Sequence, residues 1–148
     1  MLAARVKCKG NVLVVDDSPE MLRYFRFMLE LDCYRVETVS NGLEALQRLS
    51  DGCNPDAVVL DLQMPNLDGL RTLQRLLKLR PGLKVIMCSG VSDPVKAQQA
   101  TALGAEAYLV KPVHRAYLSA ALERCMKGGI AANPASEHKL AVSNAPTQ

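Results

Sequence analysis

Two kinds of segment alternate along this chain, and the alternation limits the folds open to it. Short runs of four to six residues, apolar or alternating, are each followed by a longer segment with apolar residues at helical spacing. The predicted strands span 11–16, 34–39, 57–61, 84–89 and 107–110, and the predicted helices span 19–31, 42–49, 68–79, 93–104 and 113–127. Such regular strand–helix alternation predicts an α/β fold, with a parallel sheet between helices on both faces.

The number and order of the strands follow from the same pattern. Right-handed crossovers favour a doubly wound, five-stranded parallel sheet of order 2-1-3-4-5, the flavodoxin-like arrangement. The 148 residues fit one domain. We expect a flexible leader over 1–10, the domain over 11–127, and a disordered tail over 128–148. The tail is rich in Ala, Asn, Pro, Ser and Gly and has no apolar face.

Composition and charge exclude several classes of function. The 18 basic and 15 acidic residues give a net charge of +3, too balanced by itself to indicate nucleic acid, and no nucleic-acid-reading element is present. No apolar stretch approaches the roughly 20 residues of a membrane span. The five cysteines form no CxxC pair, which argues against a zinc site and favours free thiols in a reducing compartment. We therefore expect a cytoplasmic protein with neither nucleic acid nor membrane as partner.

Polar side chains follow four of the five predicted strands. Asp16 and Asp17 end the first strand, Asp61 ends the third, Ser89 ends the fourth, and Lys111 follows the fifth. In the predicted strand order these ends meet at one edge of the sheet, where open α/β folds place their ligands. Three carboxylates repel one another, and one lysine cannot neutralise them. Oxygen ligands of this kind suit Mg²⁺.

Asp61 can also serve as a nucleophile, since aspartate forms aspartyl phosphates. Phosphoryl transfer needs positioning and charge neutralisation, which Lys111, the hydroxyl of Ser89 and a bound Mg²⁺ would supply. An Asp-nucleophile phosphatase is a weaker alternative, because such enzymes carry a second Asp two residues after the nucleophile, where this chain has Gln63. A flavin carrier would need a phosphate-binding loop in place of the first two carboxylates. A domain that binds partners without being phosphorylated is a further alternative.

These motifs carry a family resemblance. Asp16-Asp17, the DLQMPNLDGL stretch around Asp61, Ser89-Gly90 and Lys111-Pro112 occur in the order and at the spacing of a two-component response-regulator receiver domain. The chain resembles the single-domain chemotaxis-regulator type over residues 10–127. Each motif alone is weak, but the four together, each at the end of a separate predicted strand, are specific.

The resemblance implies a function for the acidic residues. Asp61 would accept a phosphoryl group from a phosphohistidine on a sensor kinase or histidine phosphotransfer protein. Asp16 and Asp17 would hold Mg²⁺ together with Asp61 and the backbone carbonyl of Gln63. Such a protein is a phosphoacceptor that assists its own phosphorylation and dephosphorylation, not an enzyme in the usual sense. It would stand alone and signal by altered contacts with a downstream protein.

The resemblance also implies how the phosphorylated state is sensed. Ser89 and Lys111 would contact the phosphoryl group. Tyr108 matches the aromatic residue that turns inward when the hydroxyl moves towards the phosphate. The bond before Pro112 is expected to be cis, which fixes the approach of the lysine.

The first predicted helix has an unusually wide apolar arc. Met21, Tyr24 and Met28 lie beside the face that the sheet requires. One interpretation is an exposed patch for a phosphotransfer partner or for a second copy of the chain. The alternative is deeper packing against the last helix and the leader.

Overall fold

Five parallel strands in the order β2-β1-β3-β4-β5 form the centre of the protein, as the sequence predicts. The computed structural model describes residues 7–64 and 67–127. The strands are β1 (Gly10–Val15), β2 (Tyr34–Val39), β3 (Ala57–Asp61), β4 (Lys84–Ser89) and β5 (Ala107–Val110). The helices are α1 (Pro19–Leu31), α2 (Gly42–Ser50), α3 (Gly69–Leu79), α4 (Pro94–Leu103) and α5 (Arg115–Met126).

Alternate residues of β1 face two separate cores. Val12 and Val14 belong to a cluster with apolar residues of α1 and α5, whereas Leu13 and Val15 belong to a cluster with residues of α2, α3 and α4. Helices therefore cover both faces of the sheet. For the same reason every residue of β3, the central strand, is buried, as expected of a parallel strand covered on both sides.

Side-chain caps set the starts of four helices. Ser18, Asn41, Asp68 and Asp93 each accept a hydrogen bond from a backbone N–H in the first turn of α1, α2, α3 and α4 respectively. The capping residues lie in the loops between the strands and the helices that follow them, at the carboxyl edge of the sheet. The predicted element bounds differ from the structure by one or two residues, the scatter usual for helix ends.

The expected partner surface on α1 is wrong at one residue. Met28 is 5% exposed and belongs to the core between α1 and α5, and Met21 is partly buried against the same core. Deeper packing, the alternative interpretation, accounts for these two residues. Tyr24, Phe27 and Leu31 are the exposed large apolar residues of this helix, at 42%, 65% and 55%. The predicted tail, 128–148, lies outside the described residues.

Candidate functional site

Three carboxylates meet where β1 and β3 end. Asp16 directly follows β1, Asp61 is the last residue of β3, and the two strands are hydrogen-bonded neighbours. Oxygen atoms of Asp16, Asp17 and Asp61 all lie within 4.8 Å of one another. Asp16 and Asp61 are 2% and 4% exposed, whereas Asp17 is exposed. The trio therefore has two buried members and one open to solvent.

Lys111 brings a positive charge from β5 to the two buried carboxylates. Its Nζ donates to Asp16 Oδ2 at 3.0 Å and to Asp61 Oδ1 at 3.2 Å. Its backbone N–H donates to the carbonyl of Ser89 at 2.7 Å, which continues the β4–β5 pairing. Burial by itself would lower the pKa of Lys111, but hydrogen bonds and charges from Asp16 and Asp61 outweigh it and raise that pKa. The side chain is a fixed cation at neutral pH.

Asp61 carries its charge in an unfavourable place. Burial raises the pKa of its carboxyl, Lys111 opposes that rise, and the charge of Asp16 adds to it. Asp61 Oδ1 accepts hydrogen bonds from Lys111 and from the backbone N–H of Gln63 at 3.3 Å. Among the described residues no such bond falls on Oδ2. Oδ1 of Asp61 is thus held in place by two hydrogen bonds.

Ser89 and Tyr108 both contact the first turn after β4. The buried Ser89 hydroxyl oxygen accepts the backbone N–H of Val91 at 3.1 Å. The Tyr108 hydroxyl donates to the carbonyl of the same Val91 at 3.3 Å. Tyr108 is 3% exposed, so its ring lies inside the protein. Burial raises the pKa of the Tyr108 phenol, and the neighbouring Ser89 hydroxyl opposes the rise. Ser89 and Tyr108 thus hold the N–H and the carbonyl of the same residue, Val91.

A close backbone contact fixes the loop that follows Asp61. The Gly69 N–H donates to the Leu62 carbonyl at 2.9 Å. A Cβ on Gly69 would lie 2.5 Å from the Leu62 Cα and 2.6 Å from the Asp61 carbonyl oxygen. Only glycine permits this approach of α3 to β3. The Asp68-Gly69 pair indicates a helix start in the sequence, but the contact itself has no sequence signal.

The sequence also supports predictions for the peptide bond before Pro112 and for Gln63. The peptide bond between Lys111 and Pro112 is cis. The Gln63 side chain is exposed and extends towards the β4–α4 loop, where its Oε1 lies 3.6 Å from the position of a Cβ on Gly90.

The residue opposite Asp61 in the sheet is Cys88. Burial raises the pKa of this thiol to about 12, so it stays protonated and packs as a small apolar group. Among the side chains of this register pair, only that of Asp61 belongs to the acidic cluster.

The donor set fits a divalent cation. All the candidate ligand atoms are oxygens, the type that Mg²⁺ prefers. Three carboxylates and one ammonium group leave a formal charge of −2 at the site, which a divalent cation balances. The exposure of Asp17 leaves an approach from solvent.

Comparison with known proteins decides the family. The family model for the response regulator receiver domain matches residues 12–123. The chain is a response regulator receiver. Receivers are signalling domains of two-component systems, as the motifs around Asp61 indicate, and they bind Mg²⁺ in an acidic pocket of this kind.

Curated relatives include both single-domain and longer regulators. The receiver is 35% identical over 118 residues to the chemotaxis protein CheY of Listeria monocytogenes, covering 79% of this chain and 98% of that protein. It is 42% identical over 121 residues to the positive alginate biosynthesis regulatory protein of Pseudomonas aeruginosa, covering 79% of this chain. It spans only 47% of the length of that relative.

Solved structures agree with the fold. A response regulator receiver domain from Clostridium thermocellum has a TM-score of 0.76 at 35% identity, covering 80% of this chain and 94% of the other. A BeF3-activated DrrB receiver domain has a TM-score of 0.72 at 27% identity, covering 80% of this chain and 98% of the other. Across the described part of the receiver, no helix is long and apolar enough to cross a membrane.

Proposed function

We propose that the receiver accepts a phosphoryl group on Asp61, in a reaction that requires Mg²⁺. The observation that supports this most directly is the arrangement of Lys111, whose Nζ bonds to Asp16 and Asp61 together. A buried carboxylate beside a second carboxylate and a fixed cation is suited to nucleophilic attack at phosphorus.

In the proposed reaction the phosphorus–nitrogen bond of a phosphohistidine breaks as a phosphorus–oxygen bond to Asp61 forms. The electron pair of the broken bond remains on the imidazole nitrogen of the donor. Lys111 stabilises the added negative charge, and the Gln63 N–H holds the second carboxylate oxygen. No general base is needed, because an ionised Asp61 attacks directly.

Asp16, Asp17 and Asp61, with the carbonyl of Gln63, would hold the Mg²⁺. When bound, the ion neutralises charge that builds up on the phosphoryl oxygens. Asp17 gives the site its opening to solvent.

The proposed readout of phosphorylation begins at Ser89. The acyl phosphate carries a charge of about −1.5 to −2 beside this hydroxyl, where the ionised carboxylate of Asp61 carried −1. The hydroxyl then turns from Val91 to donate to the phosphoryl oxygen. Val91 then loses the acceptor of its N–H, while Tyr108 holds its carbonyl. The segment after β4 is therefore the element that changes position, and the change is transmitted by contact with a downstream protein.

The proposed phosphoryl donor is a sensor histidine kinase or a histidine phosphotransfer protein. Its contact would include the exposed apolar residues of α1, namely Tyr24, Phe27 and Leu31. The same face is the proposed contact if two copies associate. All five cysteines are free thiols, which supports a reducing, cytoplasmic compartment.

The proposal is tested with acetyl phosphate as a small donor. The protein is incubated with acetyl phosphate and Mg²⁺, and its intact mass is measured over time. We expect an increase by one phosphoryl group, lost in Asp61→Asn and after chelation of Mg²⁺. Asp51→Asn, a change at an exposed aspartate that follows the C-terminal end of α2, should retain it.

The outcomes separate the alternatives. Mg²⁺ binding without any increase in mass would favour a domain that acts unphosphorylated, and would overturn the proposal. An equal increase in Asp61→Asn would place the acceptor elsewhere. Continuous hydrolysis of unrelated phosphomonoesters would favour a phosphatase.

A further inference from the structure

Hydrogen bonds join the start and the second turn of helix α1 to residues near Asp61, the proposed phosphoacceptor. At its start, the Ser18 N–H donates to Asp16 Oδ1 at 2.9 Å, and the Ser18 side chain caps the helix. In the second turn, the Tyr24 hydroxyl donates to the carbonyl of Val113 at 3.0 Å. Val113 lies two residues after Lys111 and is 1% exposed. Its carbonyl is therefore an acceptor fixed in the core.

These bonds close into a ring. Asp16 binds Ser18 through Oδ1 and Lys111 through Oδ2. Helix α1 connects Ser18 to Tyr24, and Tyr24 connects to the segment that carries Lys111. The ring therefore begins at Oδ1 of the buried Asp16 and ends at Oδ2 of the same residue. Within this ring, the hydrogen bond from the Tyr24 hydroxyl is the one side-chain bond that involves neither an acidic residue nor the capping residue Ser18.

We infer that Tyr24 is a positioning residue for Lys111. Its hydroxyl holds the segment after β5 against α1, and this fixes the place from which the lysine ammonium reaches Asp16 and Asp61. The inference rests on the proposed phosphoryl transfer, whose rate depends on the placement of this cation. Small displacements of a catalytic group reduce rates strongly. Tyr24 as a residue is 42% exposed, whereas its hydroxyl is bonded to a carbonyl of the buried Val113.

The first test removes only that hydroxyl. Tyr24→Phe should lower the maximal rate of phosphorylation by acetyl phosphate about fivefold, the rate equivalent of one neutral hydrogen bond. Tyr117→Phe is the matched control. Tyr117 is 39% exposed on α5, and its hydroxyl makes no hydrogen bond to any described residue. Its removal should leave the rate unchanged.

A double-mutant cycle separates positioning from a general loss of stability. In a Lys111→Met background, Tyr24→Phe should change the remaining rate of phosphorylation by less than about 1.5-fold, because there is no ammonium left to position. A fivefold loss in both backgrounds, or no loss in either, would overturn the inference.

A spectroscopic measurement keeps this test independent of phosphoryl transfer. The ¹⁵Nζ resonance of Lys111 and the ¹³Cγ resonance of Asp16 should both shift in Tyr24→Phe and stay in place in Tyr117→Phe. If both stay in place in Tyr24→Phe, the inference fails even when Asp61 is phosphorylated. If the wild-type protein is not phosphorylated but these resonances shift, the proposed function fails and the positional link stands.

Discussion

Neutralising Asp61 should stabilise the folded protein. The perturbation is Asp61→Asn, which keeps the shape of the side chain and removes its charge. In the folded protein that charge is buried, lies beside a second buried carboxylate at Asp16, and is attracted by Lys111. The sign of the stability change depends on which of these effects is larger.

The distances allow the electrostatic terms to be compared. With an effective dielectric constant of about 20, attraction to Lys111 at 3.2 Å is worth about 5 kcal/mol. Oxygen atoms of Asp16 and Asp61 lie within 4.8 Å of each other, so their repulsion costs at least about 3.5 kcal/mol, and the solvent-exposed Asp17 adds about 1 kcal/mol. The three terms cancel to within about 1 kcal/mol, so the cost of burying the Asp61 charge decides. That agrees with the raised pKa of this carboxyl. We therefore expect Asp61→Asn to be more stable by about 1–2 kcal/mol at pH 7.

The assay is urea unfolding at pH 7 without divalent cations, with Asp51→Asn as the control at an exposed position. Because the folded pKa of Asp61 is raised, its destabilising effect is full at neutral pH. The effect decreases as the pH falls through that pKa, and it vanishes below the unfolded value of about 4. The difference between wild type and Asp61→Asn should shrink in the same window. A less stable Asp61→Asn at pH 7 would refute the reasoning, because the ion pair with Lys111 would then outweigh burial.

Substitutions at Asp32, Gly69 and Cys33 test other parts of the structure. Asp32→Asn should lose less than about 1 kcal/mol of unfolding free energy at pH 7. The hydrogen bond from Arg115 lowers the pKa of Asp32, so the loss should decrease below the unfolded pKa of about 4 and disappear as the pH falls through the lowered pKa. Urea unfolding at pH 7 and at a series of pH values below about 4 will show this. Gly69→Ala should cost about 1–3 kcal/mol by overpacking and slow phosphorylation, whereas Gly82→Ala, which meets nothing within 4 Å, should do neither. Cys33 has a φ of 69°, so thermal unfolding should show Cys33→Gly more stable than Cys33→Ala by about 1 kcal/mol.

The fold could be predicted from the sequence because its signals are local. Each strand is a short apolar run and each helix has its own period, and handedness rules then leave few arrangements. The acidic site could be predicted for a related reason. Its residues occupy strand ends, and strand ends in a parallel sheet meet at one edge.

Contacts that depend on three-dimensional position had no such signal. The bond from Tyr24 to Val113 joins residues 89 positions apart, and nothing in the helical pattern of α1 distinguishes it from surface exposure. The Asp32–Arg115 pair is similarly remote, with a separation of 83. The prediction that Met28 is exposed is wrong, because a helical wheel gives the direction of a side chain but not which neighbouring elements cover it. Met28 belongs to a core cluster that also contains residues of α5, among them Leu118 and Leu122.

The bond between Lys111 and Asp16 has a consequence for biosynthesis. The two residues are 95 positions apart, so the acidic end of β1 is made long before the lysine that balances it. A chain still emerging from the ribosome holds all three carboxylates without their cation, and β5 has yet to join the sheet. In the proposed reaction, the site around Asp61 is therefore complete only after β5 has joined the sheet and brought Lys111 to the carboxylates.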